Sequence, residues 1–437
     1  MKYFGAAVMA ATVSALDNGL GLAPQMGWNT WNKFGCDIAI DTIETAIDQV
    51  VDLGLDKLGY NYINLDDCWM KEERSADGHF IVDDVAFPDG MKVLGDYIHS
   101  KGLKFGIYSC AGTMTCAGRA GSLYHEEIDA MDWASWGVDY LKYDNCFNAG
   151  VEGTIRYTAM RDALAATGRP IFYSLCNWGE EDSWRWAPAL SNSYRTTQDI
   201  FDDFASVEYN FKESQKHFER SGPGAWNDPD MLEIGNGGLT HEEEKTHFAL
   251  WVMAKAPLII GCDLSVAPQS SIDILMNQDL IAVNQDLESK QATCFIGCSS
   301  QDEFWRRPQV YATTVTGGHT VALIVNWREH AHDNFEFKLE DLGIVARADQ
   351  LIEVWDLWTH EMLGEYTKAE VENFGVSKIP GHGNFVFKFV VKDRPSPTKT
   401  FKPVAEPVND VVEEVEVIEP VVDDIKEMPV DPEFSQD

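Results

Sequence analysis

The stretch Val138-Asp139-Tyr140-Leu141-Lys142-Tyr143-Asp144-Asn145-Cys146 decides how the chain folds. It is apolar and aromatic, reads as a strand, and ends on a Lys and an Asp one residue apart. Residues two apart on a strand point to the same side, so Lys142 and Asp144 face one pocket. An ammonium beside a carboxylate favours the ionised form. That predicts an Asp144 that titrates below the ordinary range, as suits a charged nucleophile. A surface ion pair at a strand end is the competing reading, and it loses force once the other strand ends are compared.

Short apolar runs of this kind recur along the chain, at 25–31, 61–66, 104–109, 138–144, 170–177, 193–197, 224–228 and 257–263. Helical patterns fill the gaps. In the first gap, Asp41 stands as N-cap and Glu44 completes a capping box. Ile43, Ala46, Ile47, Val50 and Val51 then form one apolar stripe, and Gly54 closes the helix. A second capping box, Thr240-His241-Glu242-Glu243, opens the helix after the seventh run. Eight strand–helix units over about 240 residues are the count and length of a (β/α)₈ barrel. A doubly wound open sheet would call for a Gly-rich phosphate turn after its first strand, and there is none.

Beyond residue 290 the pattern changes. Runs at 309–315, 320–327, 334–339, 351–356 and 384–391 are rich in β-branched and aromatic residues, with turns at Gly317-Gly318 and Gly381-His382-Gly383. They predict an antiparallel β domain. The expected organisation is a signal peptide at 1–15, a barrel at 16–290, a β domain at 291–393 and a disordered acidic tail at 394–437. Lys2, a short apolar core and Val13-Ser14-Ala15 carry the signal-peptide reading. The core falls short of a membrane span. From Val404 onward the tail holds 12 acidic residues and one Lys, or −11 of the net charge of −37. Its prolines prevent a continuous helix. So acidic a chain is a poor partner for nucleic acid or anionic membranes. Export implies an oxidising compartment for the nine Cys.

In a barrel the C-terminal strand ends surround one mouth, where catalysis takes place. Here they carry Trp31; Asp66 and Asp67; Tyr108; Lys142 and Asp144; Asn177 and Trp178; Arg195 and Asp199; Asp228 and Asp230; and Asp263. A single acidic end reads as a helix N-cap, and Asp263 fits that role. Barrel core is the competing reading for Trp31. Capping does not account for the whole set of carboxylates, two cations and several rings. A phosphate loop, a G-x-S-x-G and an HExxH helix are all absent, so neither metal nor cofactor is expected. Paired carboxylates beside aromatic rings are the equipment of a glycoside hydrolase, which needs two carboxyl groups of opposite protonation.

The chain closely resembles the α-galactosidase (melibiase) family, glycoside hydrolase family 27, over about 17–391. The resemblance rests on Leu16-Asp17-Asn18-Gly19-Leu20, Pro24-Gln25-Met26-Gly27-Trp28-Asn29-Thr30-Trp31, Asn64-Leu65-Asp66-Asp67-Cys68-Trp69 and Gly106-Ile107-Tyr108. Thr115-Cys116-Ala117-Gly118, Lys142-Tyr143-Asp144-Asn145-Cys146, Arg195-Thr196-Thr197-Gln198-Asp199-Ile200 and Trp226-Asn227-Asp228-Pro229-Asp230-Met231 extend it. It implies a (β/α)₈ barrel followed by an antiparallel β-sandwich, and a secreted retaining enzyme that removes terminal α-D-galactose. Asp144 is then the nucleophile and Asp199 the acid/base. Lys142 keeps Asp144 ionised and contacts the sugar. Asp66 and Asp67 bind the 4- and 6-hydroxyls, and Arg195 and Asp230 reach the 2- and 3-hydroxyl side. Trp31 and Tyr108 line the ring, with Asn177 and Trp178 beside it.

The resemblance also implies disulfides joining Cys36 to Cys68 and Cys116 to Cys146. Spacing alone adds Cys294 with Cys298, and leaves Cys110, Cys176 and Cys262 as buried thiols. One position departs from the family pattern. Asn177 stands where many members carry Glu, which keeps α-N-acetylgalactosaminidase and β-L-arabinopyranosidase open as alternatives. A non-catalytic galactoside-binding protein would not need both Asp144 and Asp199. The expected partner is a galactoside, whether oligosaccharide, polysaccharide or glycoconjugate. The location is extracellular or, through the same pathway, vacuolar or lysosomal. The sequence leaves oligomeric state open, a homodimer included.

Overall fold

The structure, a computed structural model, describes residues 15–298 and 307–392. The expected signal peptide, apart from Ala15, and the acidic tail lie outside them. Each of the eight predicted barrel runs coincides with a strand, the third strand reaching one residue past its run: β1 (Met26–Asn29), β2 (Tyr62–Asn64), β3 (Lys104–Cys110), β4 (Tyr140–Asp144), β5 (Phe172–Leu175), β6 (Ser193–Arg195), β7 (Trp226–Asp228) and β8 (Leu258–Ile260). All pair in parallel, in the order β8-β1-β2-β3-β4-β5-β6-β7. The ring closes through one residue past β7. Leu232 forms a parallel bridge to Ile260, with its N–H on Ile259 O at 2.8 Å and its carbonyl accepting Gly261 N–H at 3.0 Å.

Alternation along the strands sets the layers. On β4, Leu141 and Tyr143 point outward into the main apolar core, whereas Tyr140, Lys142 and Asp144 point inward. Tyr140 belongs to a small ring cluster inside the barrel with Tyr62 and Phe172, stacked on Phe172 at 5.0 Å. Lys142 and Asp144 follow above it. Gly106 makes this filling feasible, because a Cβ there would meet Asn64 Oδ1 at 1.8 Å.

The capping box at Thr240 and Glu243 forms. The one expected at Asp41 does not. That helix, Ile40–Asp52, starts earlier, with Ala39 as N-cap and no side-chain cap. Its first free N–H, of Ile40, is taken by Ala86 O at 3.0 Å. The neighbouring loop thus does the work a side chain was expected to do, and Asp41 sits in the first turn where its charge suits the helix dipole. Three disulfides are formed: Cys36–Cys68, Cys116–Cys146 and Cys294–Cys298. Cys110, Cys176 and Cys262 are buried thiols.

The C-terminal strands form an antiparallel β-sandwich, with a six-stranded sheet and the pair His332–Lys338 with Asn373–Ile379. The runs missed in the sequence, Thr293–Ile296, Glu361–Thr367 and Asn373–Ile379, are short or broken by glycine. One face of the larger sheet joins the barrel core through Tyr311, Val325, Trp327 and Val386. Trp327 is 2% exposed, packs on Phe204 and Phe211, and donates to Gln309 Oε1 at 2.7 Å. Cutting it back leaves a cavity and removes one of the two donors on Gln309 Oε1, the other being the Tyr311 hydroxyl at 2.8 Å. Trp327→Ala should cost about 3–5 kcal/mol in urea unfolding. A cost below about 1 kcal/mol would contradict a shared core.

Candidate active site

The inward residues at the strand ends converge. Lys142 Nζ donates to Asp66 Oδ2 at 2.8 Å, and Asn29 Nδ2 donates to the same oxygen at 2.8 Å. Asp66 Oδ1 accepts Asp67 N–H at 3.0 Å, and Thr30 Oγ1 accepts Asp66 N–H at 3.0 Å. Asp67 turns the other way, accepting Cys68 N–H at 2.7 Å and Ala117 N–H at 2.9 Å. Burial pushes its carboxyl up, the Ala117 N–H partly opposing.

Lys142 shares the pocket with Asp144, but its direct partner is Asp66. Asp144 Oδ2 accepts Tyr108 O–H at 2.9 Å and Oδ1 accepts Asn145 N–H at 2.8 Å. Burial pushes Asp144 up to about 6; Lys142 pulls it down and the charge of Asp199 adds to the rise. The expectation of a depressed Asp144 is therefore corrected, because desolvation outweighs an ammonium committed to another carboxylate. The Tyr108 hydroxyl, itself driven far up by burial and by Asp144, stays protonated and remains a donor.

Across the mouth, Arg195 Nη2 lies 2.9 Å from Asp199 Oδ1 and 3.0 Å from Asp230 Oδ2. The Asp199 side chain is 54% exposed and that of Asp230 5%. For Asp199 the desolvation is outweighed by Arg195 and then Lys142, so it titrates low. Asp230 is pushed up by burial, with Arg195 opposing and Asp199 adding. Asp230 has φ +84°, a strained value for a non-glycine residue. Three bonds hold it there: Asp230 N–H on Asp228 Oδ1 at 2.8 Å, Ile200 N–H on Asp230 Oδ2 at 2.9 Å, and Trp251 Nε1–H on Asp230 O at 2.7 Å. Burial raises Asp228 to about 6.

Two openings mark the place. A small internal cavity is lined by Lys142, Ser174, Cys176, Arg195, Asp228 and Asp230. Beside it, a cleft of about 600 Å³ contains Trp31 and Asp199. Trp31 starts a short helix, Trp31–Phe34, half-buried. It is thus outside the barrel core, where Trp28 is fully buried instead. Asn177 is fully buried; its Nδ2 donates to Glu180 O at 2.9 Å, and its Oδ1 has no hydrogen-bond partner. Trp178 follows with φ +60°. Asp263 closes a turn onto Ser265 and lines neither opening.

Several supporting residues escaped sequence reasoning. Asn29 follows Trp28, which packs in the outer apolar core, so its inward direction was available from strand alternation alone. The Tyr157 hydroxyl, on the helix Gly153–Ala166, holds Asp144 O at 3.0 Å, with no local signal to announce it. Glu233 is 3% exposed between Asn32 Nδ2 and Asn236 Nδ2, both at 2.5 Å, and burial raises it to about 7. The disulfide Cys116–Cys146 ties the segment after β3 to the one after β4, two residues beyond Asp144.

A parallel barrel whose mouth gathers paired carboxylates, two cations and aromatic rings, followed by a β-sandwich, is the architecture of a glycoside hydrolase. The family profile described as "Alpha galactosidase A" matches residues 23–286, and that of the "Alpha galactosidase C-terminal beta sandwich domain" matches 306–389. The chain belongs to the α-galactosidase family, glycoside hydrolase family 27. It is 45% identical over 345 residues to the α-galactosidase of Cyamopsis tetragonoloba, covering 79% of this chain and 82% of that one. The crystal structure of α-galactosidase I from Mortierella vinacea superposes with a TM-score of 0.80 at 38% identity, covering 87% of this chain and all of the other. The Saccharomyces cerevisiae α-galactosidase solved with raffinose superposes with a TM-score of 0.74 at 32% identity, covering 87% and 100%.

Proposed function

We propose that the protein is a secreted, retaining α-galactosidase that removes terminal α-D-galactose by double displacement. The observation that carries this is the approach of β4 and β6, which brings Asp144 and Asp199 to one mouth beside Lys142, Arg195 and Tyr108. Asp144 attacks the anomeric carbon while Asp199 protonates the departing oxygen; Asp199 then takes a proton from the water that frees the sugar. Asp66, Asp67, Lys142, Arg195 and Asp230 hold the hydroxyls, and Trp31, Tyr108, Asn177 and Trp178 border the ring. Relatives named α-galactosidase at 40–51% identity support the choice of sugar. The same reading takes 16–290 as the catalytic unit, 291–393 as the sandwich and 394–437 as a tail without a catalytic part.

Without substrate the proton order is the reverse of what hydrolysis needs, since Asp144 titrates high and Asp199 low. The substrate corrects it. Once Asp199 leaves Arg195 for the glycosidic oxygen it loses the cation that held it low, and Arg195 keeps Asp230.

The wild-type protein should turn over aryl α-galactoside faster than the α-N-acetylgalactosaminide or the β-L-arabinopyranoside; no turnover of any would refute the enzyme. Asp144→Asn should lower kcat on the order of 10³-fold or more and still bind galactose. Asp199→Ala with azide should yield α-galactosyl azide, and the β-anomer would refute retention. In the free enzyme Asp144 is protonated below about pH 6, so kcat/KM should fall on the acid side with a midpoint near 6. A midpoint below 4 would show that burial does not govern Asp144. N-terminal sequencing of exported protein should begin at Leu16; retention of Met1 would refute signal cleavage.

A further inference from the structure

Glu233 lies at the floor of the cleft beside Asp199, is 3% exposed, and takes no part in the double displacement. It stands on firmly held backbone. Its N–H donates to His247 Nε2 at 3.0 Å, and the preceding Leu232 closes the barrel ring against β8. Its carboxylate joins two loops. Oε1 accepts Asn32 Nδ2 and Oε2 accepts Asn236 Nδ2, each at 2.5 Å. Asn236 belongs to the same loop and shares its amide with Gly261 O at 3.3 Å. Asn32 comes from the loop after β1, 201 positions earlier. Its side chain rests on Gly261, where a Cβ would meet Asn32 Cβ at 3.1 Å.

Asn32 follows Trp31 in the short helix Trp31–Phe34. So short a helix does not hold itself, and where Trp31 sits depends on ties from outside. At its start Trp31 N–H donates to Asn29 Oδ1 at 2.8 Å, and beyond its end stands the disulfide Cys36–Cys68. The bond from Asn32 to Glu233 is the tie between them. Its strength depends on the charge of Glu233. A carboxylate accepts from both amides, whereas a neutral carboxyl turns one of its oxygens into a donor. Asn236 is already turned to serve the carboxylate, since its own Oδ1 is buried without a hydrogen-bond partner. We infer that Glu233 is a positioning residue for the sugar: its carboxylate moors the Trp31 helix to the segment that closes the barrel, and so sets the aromatic wall against which galactose binds. This rests on the α-galactosidase reading, in which Trp31 borders the ring, and deepens it.

Burial raises Glu233 to about 7, with the amides of Asn236 and Asn32 opposing and the charges of Asp202 and Asp230 adding. No cation beside it reverses this. Lys33, on the loop after β1, acts on Asp202. From the helix His241–Met253, His247 is held neutral by burial, and Glu244 is taken up by Gly235 N–H at 2.8 Å and the Ser271 hydroxyl at 2.7 Å. The mooring is therefore complete above about pH 7 and is lost as the pH falls through that value.

Calorimetry with galactose separates this role from the chemical steps. In the wild-type protein Kd should rise as the pH falls from about 8 to about 6.5. Glu233→Gln keeps the size but turns an N–H toward one of the two amides. At about pH 8 its Kd for galactose and its KM for an aryl α-galactoside should rise on the order of 10-fold, with kcat within about threefold, and the change in Kd around pH 7 should vanish. Asn32→Ala leaves Glu233 in place and should weaken binding as much, and the double variant should bind no more weakly than either single one. Unchanged binding in both single variants, losses that add in the double variant, a loss confined to kcat, or a Kd that still turns near pH 7 in Glu233→Gln would overturn the mooring while the α-galactosidase reading stood. A wild-type protein that neither binds galactose nor turns over the aryl α-galactoside would overturn both.

Discussion

Six carboxylates, Asp66, Asp67, Asp144, Asp199, Asp228 and Asp230, share one mouth with two cations, Lys142 and Arg195. All but Asp199 are less than a tenth exposed. Such a set cannot be buried fully ionised, because each uncompensated charge loses its hydration. The site divides the problem. Lys142 takes Asp66 and Arg195 takes Asp199 and Asp230, while Asp144 and Asp228 rise to about 6. The residual negative field has a use. Glycoside cleavage passes through an oxocarbenium-like state, so positive charge develops where the carboxylates already point, with no reorganisation needed at that moment.

That arrangement needs backbone that regular structure does not supply. Cys68, Trp178 and Asp230, all just past barrel strands, have positive φ without being glycine. At Asp230 the turn presents the carboxylate to Arg195, and at Cys68 it reaches the disulfide to Cys36. Such strain persists only where neighbours over-determine it. Cys68 is held by Cys36 and by its N–H on Asp67, and Asp230 by Asp228, Ile200 and Trp251.

The barrel was legible because period-two alternation on eight short runs is a local signal, and so was the inward pair Lys142 and Asp144. What that signal cannot carry is who pairs with whom across the ring. Lys142 reaches Asp66, 76 positions earlier in the chain, and that single long-range contact undoes the pKa inferred from its neighbour two residues away. The Asp41 cap failed for the same reason, since a carbonyl from Ala86 took the N–H. Asn373–Ile379 was hidden by Gly375, which no strand propensity favours. Its lack of a side chain is required by the partner strand, where a Cβ would meet Phe335 O and Glu336 Cγ at 2.6 Å. Tertiary partners outside the local window account for each of these misses.

The helix His241–Met253 shows why barrel and sandwich are inseparable parts of one catalyst. It has almost no exposed face: nine of its residues are buried, Glu244, Thr246 and His247 among them, so it is covered on both sides. Toward the barrel, Trp251 donates to Asp230 O and His247 accepts Glu233 N–H at 3.0 Å. Burial depresses His247 to about 3, so it stays neutral and can remain that acceptor. Toward the sandwich, Thr246 donates to His382 O at 2.6 Å and accepts from Asn384 at 3.0 Å, while Glu243 meets His382 at 2.6 Å. The strained Asp230 and the Glu233 floor of the cleft are thus positioned by a helix whose other face would be exposed without the sandwich. The second unit therefore supplies the packing that keeps this helix, and through it the β7 loop, in one place.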